Sequence, residues 1–415
     1  MRTRSDGEVE PVDAVAFFTH ELPERFERHA DLAVPGAQEL HPRSLALDVD
    51  GAAWTLELAG DRLTVSPGSD DADAVWRLDA EGLSDLVNDV RGAMGFFTGG
   101  DLDMPRGKLE DALDWHVILR SVIDERPVHT TGAVTFRDRD GEPLDLHRTF
   151  TLDDDLDEIA HFLGEAGYLH VAGVFTEAEM AAVSDDIDAA VSSYEPDDGR
   201  SWWATTADGE HRAVRLQHFH EHSETTDALL RDERLARFGQ LTSDGHHIPE
   251  GHRGGNVIEA LIKPIGVVEG ISDVPWHKDC SLGGHSYGCC SMTVGISVTG
   301  ADASSGQLRV VAGSHRALIQ PAFVRRGLDL PQVDLPTSTG DITVHLSCTM
   351  HMAQPPVTSE RKVMYTGLRL LPRDAFRGAG EPGSTGHERL AKLGRIREGA
   401  YKTVSQPPAL FDSGS

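Results

Sequence analysis

The chain has 415 residues, 39% of them apolar, and 68 acidic against 38 basic side chains leave a formal net charge of −30. A field of that sign repels phosphate backbones, which argues against nucleic acid or an anionic membrane as partner, and it says nothing about fold. The length exceeds one typical core, so two domains are expected.

The opening segment, MRTRSDGEVEPVD, lacks the apolar core of a secretory signal. From Ala14 to about Arg28, Phe17, Phe18, Leu22 and Phe26 fall near helical spacing, with Pro23 inside the span as a kink or break. Alternation then predicts strands at Leu45–Val49, Trp54–Leu58 and Leu63–Val65. The turns between them fall at Asp50-Gly51 and Gly60-Asp61. A further strand, Ala74–Leu78, feeds a helix near Glu81–Val90. After a glycine-rich step at Gly95–Met104, Leu109, Leu113, Val117 and Ile123 carry an amphipathic helix. Residues 125–150 read as a connector with a hairpin about Asp140-Gly141, and the domain boundary belongs there.

The second half opens with a helix over Leu156–Leu163, ending between Gly164 and Gly167, and a short strand at Tyr168–Val171. Thr176 and Glu179 have capping-box spacing ahead of a helix carrying Met180, Val183, Ile187 and Ala190. Residues 192–255 are hard to read. Their alternating His218, His220 and His222 could line one strand face as metal ligands. The preferred reading is a solvated loop or pocket lining, with substrate contact as the functional role, and His246, His247 and His252 follow. Strands are expected at Val257–Ile262, Ile265–Val268, Thr293–Val298, Asp341–Val344, His351–Ala353 and Lys362–Leu371, with a glycine-rich loop at Gly283–Gly288. Many short strands with turn signals argue for a jelly-roll, or double-stranded β-helix, domain with flanking helices. No apolar run reaches the ~20 residues of a membrane-spanning helix. Four cysteines, including the adjacent Cys289 and Cys290, make neither a disulfide framework nor a paired zinc pattern. A reduced, cytoplasmic protein is the expectation.

The chemistry concentrates in Trp276-His277-Lys278-Asp279. In an extended backbone His277 and Asp279 point to one side. Two histidines and a carboxylate can occupy one face of an Fe(II) ion and leave the remaining positions open. His351, beyond Gly340-Asp341, would supply the third ligand. Arg361 would grip the far carboxylate of a dicarboxylic co-substrate.

The ordered set His277-x-Asp279, Gly306-x-Leu308 running into Gly313-Ser314-His315-Arg316, Gly340-Asp341, His351 and Arg361 resembles the phytanoyl-CoA dioxygenase (PhyH) branch of the Fe(II)/2-oxoglutarate oxygenases. The resemblance spans roughly Asp154 to Pro372. It implies His277, Asp279 and His351 as iron ligands and Arg361 on the 2-oxoglutarate C5 carboxylate. Dioxygen is then the oxidant, with succinate and CO2 as co-products. Asp279 implies oxygenation over halogenation, because halogenating relatives lack this carboxylate. His345 competes with His351, but the spacing to Arg361 fits only from His351. Ala353 and Gly295 depart from the pattern, and Thr293, Thr366, Lys263 or Tyr287 are the candidates to compensate. Thr293 and Thr366 are taken as co-substrate contacts beside Arg361. The order of elements from Ala14 to Asp124 resembles the sterol-carrier-protein-2-like (SCP2-like) lipid-binding fold, which leaves ligand holding and simple packing equally open as its role.

The expected layout is an SCP2-like α+β domain over 1–135, the oxygenase domain over 150–375 and a C-terminal extension over 376–415. The expected activity is hydroxylation, desaturation or cyclisation of a small metabolite, tilted by the first domain toward an apolar one. Two other readings compete: a non-catalytic lipid carrier using both domains, and a zinc or nickel cupin, whose sites generally take three histidines. Oligomeric state is not readable.

Overall fold

A computed structural model describes residues 11–89, 91–242, 258–270, 272–282 and 291–369. The expectations about His246, His247, His252, Val257, the Gly283–Gly288 loop with Tyr287, Cys289, Cys290 and the 376–415 extension lie outside the described residues.

The described N-terminal residues wrap one five-stranded sheet. Strands β1 (Leu45–Val49), β2 (Ala52–Ala59), β3 (Arg62–Pro67), β4 (Ala74–Leu78) and β5 (Asp103–Arg106) lie in the order β3-β2-β1-β4-β5. Asp50 and Gly51 turn β1 into β2 with φ of 52° and 90°, the two left-handed residues a type I′ turn demands. Pro23 does not split the first helix. A π turn over Phe17–Glu21 precedes it, and Pro23 sits in the first turn of Leu22–Arg28. Helix Leu109–Asp124 is buried on every side, since each residue from Asp111 to Ile123 is covered.

What covers its far side comes from the second half of the chain. Asp114 accepts hydrogen bonds from Gln320 Nε2 and from Arg325 Nη2, the latter at 2.6 and 2.7 Å. Ala322 joins the N-terminal core, and Phe323 packs on it. The connector contains less strand than expected. Its hairpin reduces to a single bridge between Arg137 and Pro143. The Asp138 carboxylate accepts the N–H groups of Asp140 and Glu142, and Pro143 brings no donor to extend a ladder.

The second core is built on β6 (Tyr168–Val171), β7 (Ser201–Thr206), β8 (His211–Leu216), β9 (Ile258–Lys263), β10 (Val267–Glu269), β11 (Ser291–Ser297), β12 (Leu308–Val311), β13 (Gln332–Leu335), β14 (Ile342–Leu346), β15 (His351–Ala353) and β16 (Arg361–Arg369). An eight-stranded antiparallel sheet runs β10-β7-β8-β9-β16-β11-β14-β6, and a three-stranded one runs β13-β12-β15. The capping box forms as read: Glu179 N donates to Thr176 Oγ1 at 3.2 Å, and Thr176 N to Glu179 Oε2 at 2.7 Å.

Strand alternation then sorts the central strands. Met292, Val294, Ile296, Ile342, Val344, Met364 and Leu368 enter a core shared with helices Leu156–Ala166 and Glu177–Ala190. Residues of the opposite parity, among them Thr293, Gly295, Thr343, His345, Arg361 and Tyr365, face the three-stranded sheet. The site is on that side.

Candidate metal centre

Backbone pairing brings the two histidines together. His277 N donates to His351 O at 3.0 Å, and His351 N donates back to His277 O at 2.9 Å, an antiparallel bridge. Side chains directly across such a bridge share a face, and the imidazole centroids are 4.2 Å apart. Asp279, two residues on, reaches the same point. Its Oδ1 lies 3.2 Å from His277 Nε2 and 3.5 Å from His351 Nε2. These three ligand atoms lie within 4.8 Å of one another.

The donor set fits a divalent cation in its chemistry as well as its spacing. His277 Nδ1 is 2.7 Å from Pro275 O and His351 Nδ1 is 3.0 Å from Thr349 O. A carbonyl accepts only, so each Nδ1 carries the proton and each Nε2 lone pair is left for a metal. Burial pushes Asp279 up, but His351, His277 and His345 outweigh it and hold the carboxyl well below its usual range. Burial, together with His345 and His277, holds His351 well below the usual imidazole range. Asp279 is therefore held as a carboxylate and His351 as a neutral imidazole, the state in which each can bind a metal ion.

The intervening Lys278 turns away from the cluster. Its buried Nζ donates to Ser314 O at 2.8 Å and to Ala317 O at 3.5 Å, and burial pulls its pKa down to about 8. Ser314 Oγ in turn accepts Met350 N at 2.7 Å. The Gly313–Arg316 turn thus ties the segment bearing His277 to the one bearing His351.

Beyond the triad lies a pocket lined by Gly295, Ser297, Leu308, Leu335, Thr337, Thr343, Arg361, Val363 and Tyr365. Arg361 is 4% exposed, and its Nε and Nη2 have no hydrogen-bond partner among the described residues. Lys263, directly across the ladder from Arg361, pairs with Asp273 and donates to Gln354 O at 3.0 Å. Burial and the Arg361 charge pull Lys263 down to about 8. Its charge is taken, and among the described residues the pocket cation without an ion-pair partner is Arg361.

The other sequence candidates divide. Thr293 Oγ1 donates to Asp279 Oδ2 at 2.7 Å, which makes it a support of the carboxylate. Thr366 is out of place as a co-substrate contact. It alternates with Tyr365 and takes the parity of Met364, on the face turned to the helices, so Tyr365 occupies the pocket position instead. Gly295 leaves no gap, because a Cβ there would come within 2.7 Å of Tyr365 Cε1 and 2.8 Å of Thr343 Oγ1. Ala353 contributes no hydroxyl; Ser297, Thr337 and Thr343 line the pocket. His218, with φ of 55°, opens a 3₁₀ turn at Phe219–His222, so these three imidazoles share no strand face. Sequence reasoning missed Tyr365 and the placement of His345, although counting by twos from Arg361 and from Thr343 would have found both. It also missed that helix Ala93–Thr98 packs against the turn Asp279–Leu282, bringing the N-terminal residues to the edge of the candidate cluster.

Residues 163–364 match the family model of phytanoyl-CoA dioxygenase (PhyH). No curated protein matches the chain. Among solved structures it is similar to the non-heme alpha ketoglutarate dependent epimerase SnoN from nogalamycin biosynthesis, with 20% identity and a TM-score of 0.41 over 52% of this chain and 80% of that one. The carbocyclase SnoK from the same biosynthesis gives 20% identity and a TM-score of 0.40 over 55% and 92%. AviO1 from Streptomyces viridochromogenes Tue57 gives 20% and 0.38 over 53% and 91%.

Proposed function

We propose, from the PhyH-family domain that residues 163–364 form, that this chain is an Fe(II)- and 2-oxoglutarate-dependent oxygenase acting on a small molecule. The observation that carries the reading is the convergence of His277 Nε2, His351 Nε2 and Asp279 Oδ1, with both Nδ1 atoms committed to backbone carbonyls. His277, Asp279 and His351 would hold the iron on one face. Arg361, buried and uncompensated, would receive the C5 carboxylate of 2-oxoglutarate as a two-pronged partner. The facing antiparallel sheets are then the walls of a jelly roll, and the pocket between them is the co-substrate channel.

Held by His277, Asp279 and His351, the metal would supply dioxygen activation coupled to decarboxylation of the keto acid. This chain's residues do the rest. Asp279 stays ionised and holds its place through Thr293. Tyr365 and the aliphatic side chains of Leu308, Leu335 and Val363 exclude water along the channel. Retention of Asp279 favours hydroxylation, desaturation or ring formation over halogenation. The N-terminal residues, SCP2-like in the order of their elements, contribute a wall beside the turn at Asp279, and an apolar substrate suits them.

The test is succinate production by protein reconstituted with Fe(II) and 2-oxoglutarate, assayed against a panel of apolar small metabolites. Succinate well above a His277→Ala control supports the reading. Succinate no higher than that control, in protein that takes up iron stoichiometrically, would sink it.

A further inference from the structure

The family reading leaves one buried imidazole beside the triad without a role. His345 is 1% exposed, and neither ring nitrogen has a hydrogen-bond partner within standard geometry. Burying such a ring carries a desolvation cost that a leucine at residue 345 would avoid. Its position gives that cost a purpose. His345 lies directly across the ladder from Thr293, so the two side chains stand together on the pocket face. Both are aimed at one atom: Thr293 Oγ1 donates to Asp279 Oδ2 at 2.7 Å, and His345 Nε2 stands 3.4 Å from the same oxygen. The His345 ring also rests against His351, with centroids 4.0 Å apart.

The two oxygens of Asp279 are therefore divided. Oδ1 faces His277 and His351, and Oδ2 faces Thr293 and His345. His345 is not part of the converging ligand group. We propose that His345 is a positioning residue that, with Thr293, clamps the outer oxygen of Asp279 and restricts the carboxylate to one-oxygen ligation. The inference rests on the triad being a metal site. Contacts of this kind are commonly long without the ligand and tighten when the bound state forms. A carboxylate fixed in this way cannot swing to bind through both oxygens, so the coordination position beside it stays open. Residues outside the ligand shell that orient it typically contribute about 10–100-fold in metal affinity.

Co(II), which is redox-stable and has visible ligand-field bands, is the probe. It is titrated into full-length wild type, His345→Leu, His345→Gln and Thr293→Val, with melting temperature recorded for each. Wild type must first bind one Co(II) that His277→Ala fails to bind; if it does not, the metal-site reading itself fails, separately from this inference. Given that, His345→Leu should bind about 10–100-fold more weakly with altered ligand-field bands. His345→Gln, which restores an N–H donor near Nε2, should recover most of the affinity. A His345→Leu variant that folds and binds Co(II) with wild-type affinity and spectrum overturns the proposal. If His345→Leu does not fold, the Gln variant decides: wild-type stability with weakened binding and altered bands overturns the donor role, and near-wild-type binding supports it. Pulsed EPR of the Cu(II) form checks the remaining alternative. Loss of one coordinated imidazole on replacing His345 would make it a ligand and overturn the positioning role.

Discussion

The ring of Tyr365 fills the space that a side chain at residue 295 would need. The two residues face each other across β11 and β16, and a Cβ on Gly295 would fall 2.7 Å from Tyr365 Cε1. Thr343 Oγ1 closes the other side at 2.8 Å, so an added methyl has no room to shift toward β14. Gly295→Ala should push Tyr365 into the pocket. Overpacking of this kind costs about 1–3 kcal/mol. The half-saturating 2-oxoglutarate concentration should rise by about ten-fold, the equivalent of about 1.4 kcal/mol, with metal affinity unchanged. Steady-state kinetics in 2-oxoglutarate alongside Co(II) titration checks both halves, and an unchanged half-saturation would show that Tyr365 does not bound the co-substrate channel.

Arg361 should be a liability until a carboxylate arrives. Two of its nitrogens are buried without a partner among the described residues. Arg361→Met removes that desolvation cost and should stabilise the ligand-free protein by about 1–3 kcal/mol. 2-Oxoglutarate at 100 times its dissociation constant should stabilise wild type by about 2.7 kcal/mol and the variant not at all. Thermal melts with and without the keto acid read both effects. A variant less stable than wild type without ligand would mean that the guanidinium already has a structural partner.

Acid sensitivity should trace to His116. Burial, aided by the Arg120 charge, lowers its pKa to about 3 from 6.5. The unfolded chain takes up this proton near pH 6.5 while the folded one refuses it until about pH 3, so stability falls as pH drops through that window. Above about pH 7.5 the group contributes no slope. Between pH 6.5 and 5 the loss should be about 2 kcal/mol. Urea midpoints for wild type and His116→Phe across that range measure it. Parallel curves for the two proteins would show that His116 is not the source.

The link between the two cores should be measurable at Arg325. Its guanidinium meets both oxygens of Asp114, and Asp114 is 6% exposed. Arg325 is 35% exposed in its side chain, which tempers the interaction. Arg325→Ala leaves Asp114 with Gln320 as its side-chain hydrogen-bond partner among the described residues and should cost about 2 kcal/mol. Because the contact joins residues far apart in sequence, partial unfolding of the N-terminal residues should appear first in hydrogen exchange. Exchange that is uniform across both cores would argue against it.

The convergence of His277, Asp279 and His351 was legible because its geometry is local: His277 and Asp279 share a side in an extended backbone, and the spacing of Gly340-Asp341 to His351 and Arg361 is ordered along the chain. Hairpin and capping signals such as Asp50-Gly51 and Thr176–Glu179 are equally local, and both form as read. What escaped depends on contacts between distant segments. Helix Ala30–Leu40 contains Pro35 and Gly36, which argue against helix locally. The fold wants Gly36 there, since a Cβ would run into Val128. The hairpin of β7 and β8 sits in a stretch rich in polar and aromatic residues whose alternation is broken by a register shift between Trp202 and Trp203. Thr366 was misplaced by one residue, and in a strand one residue is the other face.

The enclosure of helix Leu109–Asp124 bears on how such a protein can be recombined. The helix is covered by the N-terminal helices and sheet and also by residues of the Ala317–Arg325 stretch, which arrive some two hundred positions later. The N-terminal residues are therefore not an interchangeable cassette. A chimera that replaced residues 11–124 with another protein's would have to import a matching 317–325 segment, and that segment holds Lys278 and the metal turn in register. The first core and the His277–Asp279–His351 cluster are coupled through one stretch of nine residues.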